Sequence, residues 1–239
     1  PGVRALNGVS FGIRAGEVRA ILGENGAGKS TLMNILYGYY QPSKGHLYWK
    51  GQEVKIEDSL KAQQLGISMV PQEGMLLQQM DVTSNIFLSQ MDATAGFVHA
   101  KRMQQKAKKA LEALGISHIS PNSMVYDLSA ADQKMVEIAK VVSKGCKIIV
   151  FDEPTSSLTE NEIVHLFRII HQLKQNGVGI IYISHRLEEL EQIADRVTVI
   201  RDGQHIKTMD YKDADTDTIV SLMVGREVAD IYPKYRRKS

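Results

Sequence analysis

Gly23 to Ser30 spell GENGAGKS, which fits G-x-x-x-x-G-K-[ST] between a short apolar run, Val18 to Leu22, and a helical pattern ending at Gly38. In that helical pattern Leu32, Ile35 and Leu36 share one face. Glycines let the backbone curl so that successive N–H groups face phosphate oxygens, and the helix that follows adds its positive end. In such a loop Lys29 reaches the β and γ phosphates of a nucleotide, and Ser30 offers its hydroxyl to magnesium. The candidate nucleotide-binding stretch is therefore Gly23, Glu24, Asn25, Gly26, Ala27, Gly28, Lys29, Ser30 and Thr31. A glycine-rich turn without chemistry is the alternative, and the match at every pattern position, in a strand-loop-helix setting, argues against it.

A second stretch, IIVFDE from Ile148 to Glu153, places two carboxylates at the end of a buried strand, where open α/β sheets keep their ligands. Asp152 suits magnesium coordination, and Glu153 suits polarising an attacking water as general base. Alone, an apolar strand ending in Asp-Glu leaves site and plain strand end equally open; a domain's length after a phosphate loop, it reads as a site. His185, after the apolar GIIYIS, reads by itself as an ordinary surface or capping histidine. Gln72, in VPQEG, reads by itself as a turn residue after proline.

The elements that must position these residues alternate. HLYWKGQEV reads as a hairpin around Lys50-Gly51 that flanks the main sheet. From about Glu73 to Lys144 the pattern turns helical, with Lys101 to Leu114 and Ala130 to Val142 in helical period and few strand signals. A helix over Glu160 to Gln175 follows the IIVFDE strand, with Ile163, Leu166, Phe167, Ile170 and Leu173 on one face, Thr159 with Glu162 as a capping box, and Asn176-Gly177 as its stop. Val197 to Ile200 and Gln204 to Thr208 flank Asp202-Gly203, a hairpin signal. The expected fold is α/β: a phosphate-loop NTPase core with a mostly parallel sheet covered on both faces, a flanking antiparallel β subdomain and an inserted α-helical subdomain. The expected boundaries are a core at 1–72 and 147–210, a helical subdomain at about 73–146, and a C-terminal extension or linker at about 211–239.

Bulk properties suit one compact unit. The chain has 239 residues, 43% apolar and 23% charged, as a globular domain does rather than a disordered one. Its net charge of +2 gives no electrostatic footprint for nucleic acid. Cys146 is the only cysteine, so no intrachain disulfide forms and a reducing compartment fits. No apolar run approaches the roughly 18 residues of a membrane span, so any membrane role is expected to be peripheral. Pro1 in place of a starting methionine and the closing KYRRKS suggest a piece of a longer protein, with the basic tail as a solvated linker.

The order GENGAGKST, VPQ, LSAADQ, IIVFDEPTSS and ISH resembles the Walker A, Q-loop, signature, Walker B and switch-histidine elements of ATP-binding cassette ATPases, over nearly the whole chain. GENGAGKSTLM, DEPTSSLTENE, YISHRLEEL and the late MVGRE followed by YPK look most like the first cassette of two-cassette ATPases that drive bacterial uptake of monosaccharides such as ribose and galactosides. The resemblance implies ATP and Mg2+ as ligands, with Ser30, Gln72 and Asp152 at the metal and Glu153, His185 and Lys29 as catalytic groups. It has Gln72 sense the magnesium and the γ-phosphate and contact the membrane subunit through the helical lobe, and it places His185 on the γ-phosphate. Two cassettes would pair head to tail, each ATP held between one phosphate loop and the other cassette's signature, here Ser129, Ala130, Ala131 and Asp132. The partners implied are a second cassette, in the same or a tandem chain, membrane permease subunits and, indirectly, a periplasmic or lipoprotein sugar-binding protein, with no nucleic acid. The setting implied is the cytoplasmic face of the cell membrane. The choice of sugar falls to the permease and binding protein.

Three departures stand out. Family members stack adenine on an aromatic residue of an early strand that would precede Pro1, and such stacking is worth roughly 1 to 3 kcal/mol where measured for single strands. The usual LSGGQ is LSAADQ: alanine keeps the helix-start N–H groups, and Asp132 suits the helix dipole while repelling a nearby phosphate. A working helix start with a weakened anion site is expected, so that the weakness falls on the partner's ATP. Thr159 stands where many cassettes carry aspartate. The rival readings are a regulatory cassette that binds ATP without hydrolysing it, favoured by the altered signature but not by Glu153 and His185, and a cassette ATPase of DNA repair or translation. Chromosome-type relatives carry a long coiled coil in the helical lobe, and none fits between Gln72 and Leu128.

Overall fold

The structure, a computed structural model, describes residues 4–88, 93–94 and 97–225. The chain start, the KYRRKS tail and the Arg226-Glu227 and YPK parts of the late motif lie outside these residues. In chain order the elements are β1 (Val18–Leu22), α1 (Lys29–Leu36), β2 (Leu47–Trp49), β3 (Gln52–Val54), α2 (Ser59–Gln64) and β4 (Ile67–Val70). They continue with α3 (Val82–Phe87), β5 (Ala93–Thr94), β6 (Phe97–Val98), α4 (Ala100–Ala113) and α5 (Ala130–Val142). The remainder is β7 (Ile148–Asp152), α6 (Glu160–Gln175), β8 (Gly179–Ile183), α7 (Leu187–Ile193), β9 (Arg196–Arg201), β10 (Gln204–Asp210) and α8 (Thr216–Val224).

One sheet has the order β10-β9-β1-β8-β7-β4; its five strands from β9 to β4 run parallel, and β10 turns back antiparallel on β9. Apolar runs such as VRAIL and GIIYI form its interior because both faces are covered. Val18, Ala20, Leu22, Ile149, Phe151, Ile180 and Tyr182 face one core with Ile163, Leu166, Phe167 and Ile170 of α6. Ile21, Val150, Ile181 and Ile183 face the other with Leu32 and Met33 of α1, as alternation along a strand requires. The β2–β3 hairpin stands apart as its own antiparallel pair. Its turn places Lys50 at φ 52° and Gly51 at φ 80°, and the β9–β10 turn places Asp202 at φ 51° and Gly203 at φ 72°, the left-handed pairs that tight hairpins need.

Between β4 and β7 the chain leaves the sheet, and α3, α4 and α5 pack on one another. The sparse strand signals there correspond to the two-residue pair β5–β6. On α6 the Glu162 carboxylate accepts from the Thr159 N–H at 2.7 Å, and Gly177 follows the helix at φ 78°. The reading of residues 160–175 as a helix agrees with the structure at both ends, and its apolar face is buried as expected with Ile169 added to it.

Candidate functional site

Because β1, β8, β7 and β4 are parallel and adjacent, their carboxyl ends lie along one edge. The segment after β1 is GENGAGKS, after β8 His185, at the end of β7 Asp152-Glu153, and after β4 Gln72. Four stretches scattered over the sequence are thus brought to a single border. A cleft of about 450 Å³ opens there, lined by Asn25, Gly26, Gly28, Lys29, Ser30 and Thr31 together with Gln72, Asp152 and Glu153. Arg4, Ala5, Ile183 and the Asp202-Gly203 turn complete its lining. The hairpin signal at Asp202-Gly203 foretold the turn but not this place, because packing over the loop is a long-range contact that no local pattern carries.

Gly28 sits at φ 103° immediately before α1, and a Cβ there would lie 2.7 Å from the Ala5 carbonyl oxygen. Only glycine meets both demands. Gly23 is equally confined, since a Cβ would come within 2.2 Å of the Ile200 carbonyl oxygen. Lys29 folds over this loop, its Nζ donating to the carbonyls of Gly23 at 2.7 Å and Glu24 at 3.0 Å. Burial pulls the Lys29 pKa below the ordinary lysine value, while Glu153 and Asp152 push it back up. The Asp152 carboxyl is raised, first by burial and then by the Glu153 charge, and Lys29 opposes both. Gly23, Glu24 and Ala27 belong to the loop but do not line the cleft, and neither does His185.

Glu153 adopts φ 45°, a left-handed backbone that costs a non-glycine residue about 1–3 kcal/mol and persists only where surroundings enforce it. Its N–H donates to the Ile183 carbonyl at 2.9 Å, which holds it to the end of β8. The carboxylate then meets His185 Nδ1 at 3.3 Å. His185 is 71% exposed, so a ligand could reach it.

The LSAADQ residues lie elsewhere, and none of Ser129 to Asp132 lines the cleft. Ser129 caps α5, its side chain accepting from the Asp132 N–H at 3.1 Å. Ala130 is exposed and Ala131 buried. The Asp132 carboxylate is not alone: it meets His118 Nε2 at 2.7 Å, a partner to which no sequence signal pointed. One helical turn on, the buried pair Lys134 and Glu137 contact at 3.0 Å and grip the segment carrying Gln72. Lys134 Nζ donates to the carbonyls of Pro71 at 3.0 Å and Gln72 at 3.3 Å, and Glu137 accepts from the Met75 N–H at 2.5 Å. Their spacing along the apolar face of α5, between Ala131 and Ile138, was the available sign that these charges are internal.

A family model described as ABC transporter matches residues 6–156, more than half of the chain. The chain belongs to the ABC transporter family. A putative ribose/galactose/methyl galactoside import ATP-binding protein of Burkholderia cenocepacia is 48% identical over 98% of this ABC chain and 45% of its own length. A galactose/methyl galactoside import ATP-binding protein of Clostridium perfringens is 46% identical over 98% of the chain and 45% of its own length. The chain therefore spans about half the length of the curated relatives it matches. Among solved structures, an ATP-binding cassette of an ABC transporter in its ADP conformation superposes with a TM-score of 0.77 at 26% identity, over 96% of this chain and 92% of that one. A nucleotide-free cassette gives 0.76 at 25%, over 92% and 89%. The mostly parallel sheet with its phosphate loop is the fold of ABC cassettes.

Proposed function

We propose that this chain is the ATP-binding and ATP-hydrolysing cassette of a bacterial importer for a simple sugar. The observation that carries the reading is the convergence of the Lys29 loop, Gln72, Asp152 and Glu153 on one cleft at the edge of a parallel sheet, with His185 beside it through its contact with Glu153. The loop N–H groups and Lys29 would hold the phosphates of ATP. Glu153, beside His185, would orient and deprotonate the attacking water, and His185 would steady the γ-phosphate. Ser30, Gln72 and Asp152 offer hard oxygen donors in the same cleft, and this donor set suits Mg2+. Among the described residues no three His, Cys, Asp or Glu side chains gather as a metal cluster, so the ion would share its coordination with the nucleotide. Bound there, magnesium would neutralise charge on the phosphates.

The placement of Ser129 to Asp132 outside the cleft supports a role toward a second cassette's ATP rather than its own. Residues 73–146 would form a helical subdomain, 1–72 and 147–210 the core, and 211–239 an extension. The Lys134–Glu137 grip on the Gln72 segment joins lobe and core in that reading. The remaining partners would be permease subunits and, through them, a sugar-binding protein. Among the described residues no helix is long and apolar enough to cross a membrane, which suits a peripheral seat at the cytoplasmic face. The sugar rests on the motif resemblance and on the relatives' names. Uptake of labelled ribose and galactose into vesicles carrying the full-length protein with its permease tests it: ATP-driven uptake that Glu153→Gln abolishes is expected. ATP hydrolysis with no movement of either sugar would overturn the sugar assignment.

A further inference from the structure

Outside the cleft, one buried carboxylate draws donors from four different residues. Glu189 on α7 is 3% exposed. Its Oε1 accepts from Thr155 Oγ1 at 2.7 Å and pairs with Arg186 Nη1 at 3.0 Å. Its Oε2 accepts from Tyr182 Oη and Ser184 Oγ, each at 2.9 Å. A carboxylate has about four acceptor sites, so this one is filled. Burial and the neighbouring Glu189 both raise the Tyr182 hydroxyl's pKa, which keeps it a donor.

The donors come from the two segments that carry the reacting pair. Thr155 lies two residues beyond Glu153, and Ser184 and Arg186 flank His185 on either side. The Ser184 hydroxyl, donating to Glu189, also accepts from the Arg186 N–H at 3.0 Å, which closes a turn around His185. His185 itself projects from that turn toward Glu153 Oε1. We propose that Glu189 is the positioning residue for the Glu153–His185 pair: by holding Thr155 and the Ser184–Arg186 turn on one carboxylate, it sets their contact and passes any displacement of one segment to the other. The proposal rests on the hydrolytic reading of the cleft. Nothing in the network touches the Lys29 loop, so its effect falls on turnover rather than on nucleotide binding.

Glu189→Gln keeps the shape but turns one acceptor into a donor, so two of the four donors lose their partner unless hydroxyls reverse. ATP turnover is measured in the full-length protein assembled with its permease. Glu189→Gln is expected to lower kcat roughly tenfold to a hundredfold, the range for a misplaced catalytic group, with KM for ATP held within about threefold. In a His185→Ala background it is expected to change kcat by less than about twofold, because residues acting as one unit do not multiply. Leu190→Ala, a neighbouring buried packing change on α7, is expected to lower Tm without that split. Should Glu189→Gln fail to fold, Thr155→Val removes a single donor and is expected to lower kcat about three- to tenfold with the same non-additivity. Effects of Glu189→Gln and His185→Ala that multiply, on an active wild type, would overturn the proposal alone. A wild type that hydrolyses no ATP would overturn the functional reading with it.

Discussion

Glu153 bears the sharpest demand in the molecule, because a strained backbone, a histidine contact and a neighbouring aspartate meet at one side chain. Strain of that kind marks a position whose geometry the fold enforces, and the carboxylate it presents suits a water-activating base. Gly28 shows the same enforcement in the phosphate loop. Gly28→Ala would have to relieve both a positive φ and the 2.7 Å approach to Ala5, so unfolding in urea is expected to show a loss of about 2 kcal/mol together with weakened ATP binding. In the LSAADQ stretch, Asp132 carries a carboxylate where the resemblance leads one to expect an amide. Asp132→Gln removes its charge and is expected to strengthen ATP-dependent pairing of two copies, read as a lower dissociation constant by sedimentation. His118→Ala is expected to weaken pairing, because it strips the Asp132 carboxylate of its 2.7 Å partner.

At the scale of elements, the clamp between α5 and the Gln72 segment invites the clearest test. Lys134→Met leaves Glu137 buried without its cation and is expected to cost about 3–5 kcal/mol in urea unfolding. Adding Glu137→Leu should recover part of that loss. Which elements the amino-acid order disclosed follows from length and from what local patterns can encode. β1 and α6 were legible because a mostly apolar run before a glycine-rich loop and four turns of helical period each leave a signal. The phosphate loop was legible because its glycines answer to local backbone geometry. α2, α3 and α7, six or seven residues each, are too short for a period to emerge. Glu189 drew no reading from the sequence, since only tertiary packing makes a buried charge tolerable and its partner Thr155 lies 34 residues away. The Asp202-Gly203 turn was read correctly as local structure, yet its seat over the cleft depends on β9 lying beside β1.

For the molecule as a whole, the sheet is the device that turns sequence into a site: five parallel strands deliver four separated segments to one edge. Stability of that sheet should therefore track its buried groups. Burial pushes the Cys146 thiol from 9.0 up to about 11, so the folded chain holds this proton more tightly than the unfolded one. The resulting stabilisation, on the order of 2–3 kcal/mol, is full below pH 9 and is lost as pH rises through about 11. Urea midpoints of the wild type are expected to fall more steeply over that window than those of Cys146→Ala. The central claim, that this cleft hydrolyses ATP with Glu153 as its base, is tested most directly by following the fate of radiolabelled ATP bound to wild type and to Glu153→Gln in a single turnover. The wild type should convert bound ATP to ADP and phosphate, and Glu153→Gln should retain it at least about a hundredfold longer. Equal rates of conversion in the two proteins would contradict the account.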